Sequence, residues 1–200
     1  MACCLICFSD EPVPGSKYDQ YYANQEKFQI GMMEAPCKAP MWFCLGYFCS
    51  PCSQCYVRKR ALDGNLDNYI CCQGYFPACC CFQPGSMGES SNPQLCLCLE
   101  AFCCLSCAVS SNRMYLMDKY RLQPDPWDNR IIAFNNFLQM LSCICNIAAI
   151  FMDELGELAR IIDCIAECVF YTTVGCMTGQ MVHELDYQAD NAPKGQIMDR

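Results

Sequence analysis

Polar residues recur at a helical interval within the apolar C-terminal third of the chain. Between residues 131 and 151, Asn135, Gln139, Ser142 and Asn146 are spaced as i, i+4, i+7 and i+11, and most other positions are apolar. This spacing places the four polar side chains on one narrow stripe of a helix. It therefore predicts a long helix over this segment.

The next segment, residues 153–185, repeats the helical pattern with charged residues. Asp153, Glu157, Arg160, Asp163 and Glu167 fall roughly on one face. Charges in such a run usually form the solvated face of a helix. We predict a second helix here, with Gly156 as a candidate kink where the two segments meet.

Two cysteine-rich runs in the first half of the chain resemble each other. FCLGYFCSPC aligns with LCLEAFCCLS, so that Cys44 matches Cys98 and Cys49 matches Cys103 at a period of 54. Because two copies are too few for a solenoid, we expect two related hairpin arms that pack on each other. The copies cover residues 41–62 and 95–116.

Glycine and proline are dense between these runs, which indicates a long irregular connection over residues 63–94. The chain is thus predicted to be mainly α, a small cysteine-rich helical domain with long irregular connections that a metal ion could stabilise. We place the domain at residues 37–186, an N-terminal arm at 1–36 and a polar tail at 187–200.

Composition directs attention to the cysteines. Of 200 residues, 54% are hydrophobic, 17% are charged and 23 are cysteine, an odd number that cannot pair completely within one chain. The N-terminal sequence MACCLICFSDEPVPG lacks the basic region of a signal peptide, so we expect a protein that is not secreted and keeps its thiols reduced. A net charge of −8 argues against nucleic-acid binding.

A bilayer is one environment that would suit the apolar segments. Ile131 to Met152 has no formal charge and is long enough to span, but Arg160, Asp163 and Glu167 in the next helix would each cost about 2.5–3.5 kcal/mol at mid-bilayer. One interpretation is a soluble bundle with its polar stripes outward. The other is a membrane-associated protein facing the cytoplasm, interfacial or oligomeric, in which copies share the stripes.

Clustered cysteines beside apolar residues suggest a second route to the membrane. Two or more S-acyl chains anchor a protein stably, whereas N-myristoylation is excluded because Ala2 follows the initiator methionine. The predicted lipidation sites are Cys3, Cys4, Cys7, Cys79, Cys80 and Cys81.

Cys-x2-Cys spacing supplies the strongest chemical motif. Cys49, Cys52 and Cys55 follow one another at this interval, and Cys104 and Cys107 repeat it in the second run. Two such pairs can turn four thiolates toward one tetrahedral zinc ion. We predict zinc at these or neighbouring cysteines.

Other chemistry finds less support in the sequence. Cys44, Cys49 and Cys52 have the ligand spacing of a plant-type iron–sulfur protein. A thioredoxin-like redox site at Cys49 and Cys52 would need a βαβ setting. His183 is the one histidine, and no glycine-rich phosphate loop is present. We therefore expect no enzymatic activity.

Several later elements resemble the placenta-specific gene 8 family, which includes cornifelin and the plant cadmium-resistance and cell-number-regulator proteins. The resemblance lies in FCSPCSQC, in the arginine-led helix and aspartate-proline turn of NRMYLMDKYRLQPDPWDN, and in CMTGQMVHEL. It implies a small, often oligomeric membrane-associated protein, linked in relatives to divalent-metal tolerance or transport and to control of cell number. The matched residues are Cys49, Cys52, Arg113, Asp125, Cys176, Gln180 and Glu184.

The leading hypothesis is a non-enzymatic, membrane-associated protein that binds zinc or a similar soft divalent metal, for structure or for metal handling. The alternative is a structural subunit of a large assembly, whose cysteines pack its interfaces. A membrane is the expected partner in the first case, and further copies or other proteins are expected in the second.

Overall fold

The fold is mainly α, as predicted. The computed structural model describes residues 19–76, 84–86, 88–125, 128–152 and 155–191. The helices are α1 (Ala35–Lys38), α2 (Pro40–Phe48), α3 (Ser50–Ala61), α4 (Pro93–Cys103), α5 (Leu105–Tyr120), α6 (Asp128–Phe151) and α7 (Gly156–Asn191). Two short parallel strands, β1 (Glu26–Lys27) and β2 (Leu122–Gln123), pair Glu26 with Leu122.

Two helix pairs, α2–α3 and α4–α5, are each broken at a single cysteine. Cys49 has φ −132° and ψ 53°, and Cys104 has φ −134° and ψ 52°, so both breaks share one backbone conformation. The axes of α4 and α5 differ by 117°. The two breaks lie 55 positions apart, as do Arg58 and Arg113, so the structural period is one residue longer than the sequence alignment predicted. The alignment matched Cys49 with Cys103, whereas the structural equivalent of Cys49 is Cys104. Two adjacent cysteines are the same residue type, so the sequence does not show which of them interrupts the helix.

Helix α7 is the central element, and small residues allow α2 to approach it closely. A Cβ on Gly175 would lie 2.9 Å from the Phe43 carbonyl oxygen, and one on Gly46 would lie 2.7 Å from the Thr178 hydroxyl. The two helices run antiparallel, since Ala39 at the start of α2 meets Gly179 while Tyr47 near its end meets Tyr171. The main core forms around the C-terminal half of α7.

The described part of the predicted N-terminal arm is not separate from the domain. Tyr21, Met32 and Ala35 are buried, and β1 pairs with β2 beyond α5. At the other end, α7 continues to Asn191, inside the predicted polar tail. The domain therefore begins earlier and ends later in the sequence than the composition indicated. In the N-terminal segment, Tyr21 and Met32 are buried although many residues around them are polar.

Helices α6 and α7 form an antiparallel hairpin in which two residues of the polar stripe hydrogen-bond to the neighbouring helix. Asp163 of α7 accepts hydrogen bonds from Ser142 and Asn146 of α6, the Asn146 amide nitrogen lying 2.8 Å from Oδ1. Gln139 and Asn146 are themselves exposed, so the polar stripe runs along the edge of the helix pair.

Candidate metal centre

Two adjacent cysteines and a glutamate converge in the interior beside α4. The Sγ atoms of Cys71 and Cys72 and a carboxylate oxygen of Glu100 all lie within 4.8 Å of one another, and all three residues are buried. Among the described residues, this is the one group of three or more cysteine, histidine, aspartate or glutamate ligand atoms at such spacing. Thiolate and carboxylate ligands of this kind suit zinc.

A tight turn aims both thiols inward. Residues 71–74 form a 3-10 turn in which Cys72, Gln73 and Gly74 have φ values of 50°, 48° and 71°. Such left-handed conformations are costly for residues other than glycine and persist where other contacts hold them. Here the Cys72 amide donates to Glu100 Oε2 at 2.7 Å, and the Ile70 amide donates to the Gln73 side chain at 2.9 Å.

Glu100 is held by a buried polar network. Arg58 Nη2 lies 3.2 Å from Glu100 Oε1, and neither side chain is exposed. The Tyr69 hydroxyl donates to Glu100 Oε2 at 2.7 Å, and the same guanidinium also reaches Asn112 and Ser111 on α5. The carboxylate therefore joins α3, α4, α5 and the cysteine turn, and its position is fixed before any ligand binds.

The two thiols have different proton affinities. Cys72 donates a hydrogen bond to Cys71, which raises the pKa of Cys72, and burial and the nearby Glu100 carboxylate raise it further. The same hydrogen bond lowers the pKa of Cys71, and this outweighs the opposing effect of burial. Cys71 therefore gives up its proton more readily than Cys72, and a metal ion that binds both sulfurs must displace the Cys72 proton.

The structure separates the cysteines that the spacing had grouped. Cys49 and Cys52 hydrogen-bond to each other near the start of α3, and Cys55 hydrogen-bonds to Cys98 of α4, where burial raises its pKa to about 12. Cys104 and Cys107 lie instead at the bend between α4 and α5, beside the buried cluster. These five cysteines supply no group of three ligand atoms within 4.8 Å in the described part of the chain.

Sequence reasoning missed Cys71, Cys72 and Glu100 as a set. Cys71 and Cys72 lie in the irregular connection predicted over residues 63–94, and Glu100 lies in an apolar run. One signal was present, since a single carboxylate within the run LCLCLEAFCC must find a partner once that helix is buried. No spacing rule connects Glu100 to Cys72 and Cys71, which lie 28 and 29 positions earlier.

Three residues that carry the family resemblance, Arg113, Gln180 and Asp125, form a second buried network. Arg113 Nη1 donates to Gln180 Oε1 at 2.7 Å, and Gln180 Nε2 donates to Asp125 Oδ2 at 3.1 Å. Glu184 accepts from the Gln29 amide at 2.9 Å. The network links the N-terminal segment, α5 and α7, which gives these residues a role in packing. Another matched residue, Cys176, lies in the main hydrophobic core.

The predicted lipidation sites Cys3, Cys4, Cys7, Cys79, Cys80 and Cys81 lie outside the described residues. His183 is half-buried on α7.

The hairpin offers a surface suited to lipid. Ala133–Phe151 and a window within Gly156–Asn191 are long and apolar enough to cross a membrane. The 19 residues of the first window are about 28 Å long at 1.5 Å per residue, close to the roughly 30 Å of a bilayer interior. Ile150 and Phe151, near the tip, are 77% and 82% exposed.

Comparison of the chain with protein-family models, with curated proteins and with solved structures gave no match.

Proposed function

We propose that this protein is a non-enzymatic, membrane-associated protein that binds zinc or a similar soft divalent cation. The observation that carries the proposal is the convergence of Cys71, Cys72 and Glu100 in the interior of the helical domain. Thiolate ligands select soft or borderline ions, and the carboxylate favours zinc among them. The family resemblance points to the same class of protein.

The membrane part of the proposal is supported by the α6–α7 hairpin. Its exposed apolar residues follow helical stripes, with Met140, Ile144, Ile147 and Phe151 on α6 and with Leu158, Ile161 and Ile165 on α7. Asp163, which would be costly in lipid as an isolated charge, is hydrogen-bonded by both of its α6 partners. The hairpin can therefore contact lipid while the Asp163 carboxylate keeps its hydrogen bonds from α6.

Metal content tests the first part. Protein purified anaerobically in detergent should carry about one zinc per chain, and chelation should release thiols for counting. The double variant Cys71→Ser, Cys72→Ser should lose the metal, whereas the control Cys37→Ser, Cys44→Ser, which changes two exposed thiols, should keep it. Circular dichroism establishes that both variants are helical. A wild-type protein that takes up no zinc, with all its thiols free, would overturn the metal assignment.

Liposome flotation tests the second part. Wild-type protein should float with neutral vesicles, and Met140→Lys with Ile144→Lys should abolish flotation. Both residues are exposed near the middle of the Ala133–Phe151 window, and each lysine costs about 2.5–3.5 kcal/mol near the bilayer centre. The control Asp67→Lys with Asn68→Lys alters exposed residues on the helical domain instead. Wild-type protein that stays with the aqueous fraction as an oligomer would instead support the structural-subunit hypothesis.

A further inference from the structure

Cys104 and Cys107 lie between the buried cluster and the protein surface. Cys104 is one helical turn beyond Glu100, and its amide donates to the Glu100 carbonyl at 2.9 Å. Cys107 is one turn before Ser111, whose hydroxyl lies 3.4 Å from Glu100 Oε1, so Cys107 projects from the same side of α5. The bend at Cys104 thus places both thiols around the carboxylate that anchors the cluster.

The cysteines of this region form a gradient of burial. Cys104 is exposed and Cys107 is half-buried, whereas Cys71 is 6% and Cys72 only 1% exposed. The 71–74 turn packs against both α4 and α5, on either side of the bend. Cys107 is close enough to Cys72, and Cys104 to Cys71, for each pair to interact electrostatically. A path of sulfur ligands therefore leads from solvent to the buried pair.

We propose that Cys104 and Cys107 form an entry site that captures zinc at the surface and passes it to Cys71, Cys72 and Glu100. The inference rests on the proposed function, because it requires the buried cluster to bind the metal. It goes beyond that function because a purely structural zinc site is closed by its own ligands, whereas this one has a separate pair of thiols for exchange.

The transfer balances as a ligand exchange without change of oxidation state. On capture, each thiol that binds the ion releases its proton to solvent, and two zinc–sulfur bonds form. On transfer, the bonds to Cys104 and Cys107 break as those to Cys71 and Cys72 form, and Glu100 supplies a carboxylate oxygen. Any Cys71 or Cys72 thiol that is still protonated loses its proton as it binds, and Cys104 and Cys107 take up two protons from solvent.

The rate of zinc transfer to a coloured chelator tests this inference. Zinc-loaded full-length protein in detergent is mixed with excess chelator under anaerobic conditions, and release is followed by absorbance. The variant Cys104→Ser, Cys107→Ser should still bind the wild-type amount of zinc but should release it at least tenfold more slowly. The control Cys143→Ser, Cys164→Ser removes two exposed thiols of the α6–α7 hairpin and should exchange at the wild-type rate.

Each remaining outcome is decisive. An unchanged release rate in the Cys104, Cys107 variant would overturn the entry site while leaving the buried metal site intact. Loss of bound zinc from that variant would also overturn it, because the two thiols would then be resident ligands; cobalt substitution would show this as a weaker sulfur-to-metal charge-transfer band. Absence of zinc from wild-type protein would instead refute the proposed function itself.

Discussion

Replacing Glu100 by glutamine should destabilise the metal-free protein severely. The Cys72 amide and the Arg58 guanidinium approach opposite oxygens of the carboxylate, and both groups can only donate hydrogen bonds. A glutamine side chain offers one oxygen, so its NH2 group must face one of these donors in either orientation. The substitution also leaves the Arg58 charge without its carboxylate in a fully buried position.

The expected decrease in stability follows from the buried Arg58 charge that the substitution leaves unpaired. Removing one partner of a buried ion pair typically costs about 3–5 kcal/mol, out of a total stability of about 5–15 kcal/mol for a domain. For a chain of this size the midpoint of thermal unfolding should fall by roughly 6–20 °C. The difference should be larger still with zinc present, because Glu100 is also a proposed ligand and a variant that binds zinc less tightly gains less stability from it.

Urea and thermal unfolding in detergent, followed by circular dichroism with reductant and chelator present, measure the loss. The control Glu26→Gln changes an exposed carboxylate and should leave stability within about 0.5 kcal/mol of wild type. Combining Glu100→Met with Arg58→Met should recover part of the loss, since no buried charge remains unpaired, although the Cys72 amide still lacks its acceptor. A Glu100→Gln protein within about 1 kcal/mol of wild type would refute the reasoning.

Three further predictions concern packing, the second network and pH. Gly175→Ala should cost about 1–3 kcal/mol in urea unfolding because its Cβ would press on the Phe43 backbone, whereas Gly156→Ala, with open space around it, should be neutral or stabilising. Gln180→Leu should destabilise by about 3 kcal/mol in the same assay, because the Arg113 guanidinium loses its amide acceptor; an unchanged midpoint would contradict this. Zinc affinity should rise with pH through neutrality, by about a factor of ten per pH unit for each proton displaced, because the Cys72 pKa is raised; competition titrations at several pH values would measure it, and a flat profile would exclude Cys72 as a protonated ligand.

The fold class and the long C-terminal helices could be predicted from the amino-acid sequence. The polar residues at positions 135, 139, 142 and 146 predicted a helix where α6 runs from Asp128 to Phe151. Helical periodicity is local, since each turn repeats after 3.6 residues, so a short stretch of sequence is enough to reveal it. Cysteine abundance likewise directed attention to metal chemistry from composition alone.

Which side chains meet depends on how the helices pack, and the sequence pattern does not show it. Arg160, Asp163 and Glu167 were equally unfavourable for lipid in the sequence, and the hairpin pairs Asp163 with Ser142 and Asn146. In the same way, the cysteine that leaves the helix in the second repeat is Cys104, which the letters could not distinguish from Cys103.

The candidate metal centre is the clearest case of this division. Cys71 and Cys72 reach Glu100 because a long connection returns to the helix that follows it, and a left-handed turn points both thiols inward. The geometry of such a return depends on how whole elements pack. Pair spacing identifies ligands that share one turn of chain, but it carries no information about ligands that separate elements bring together.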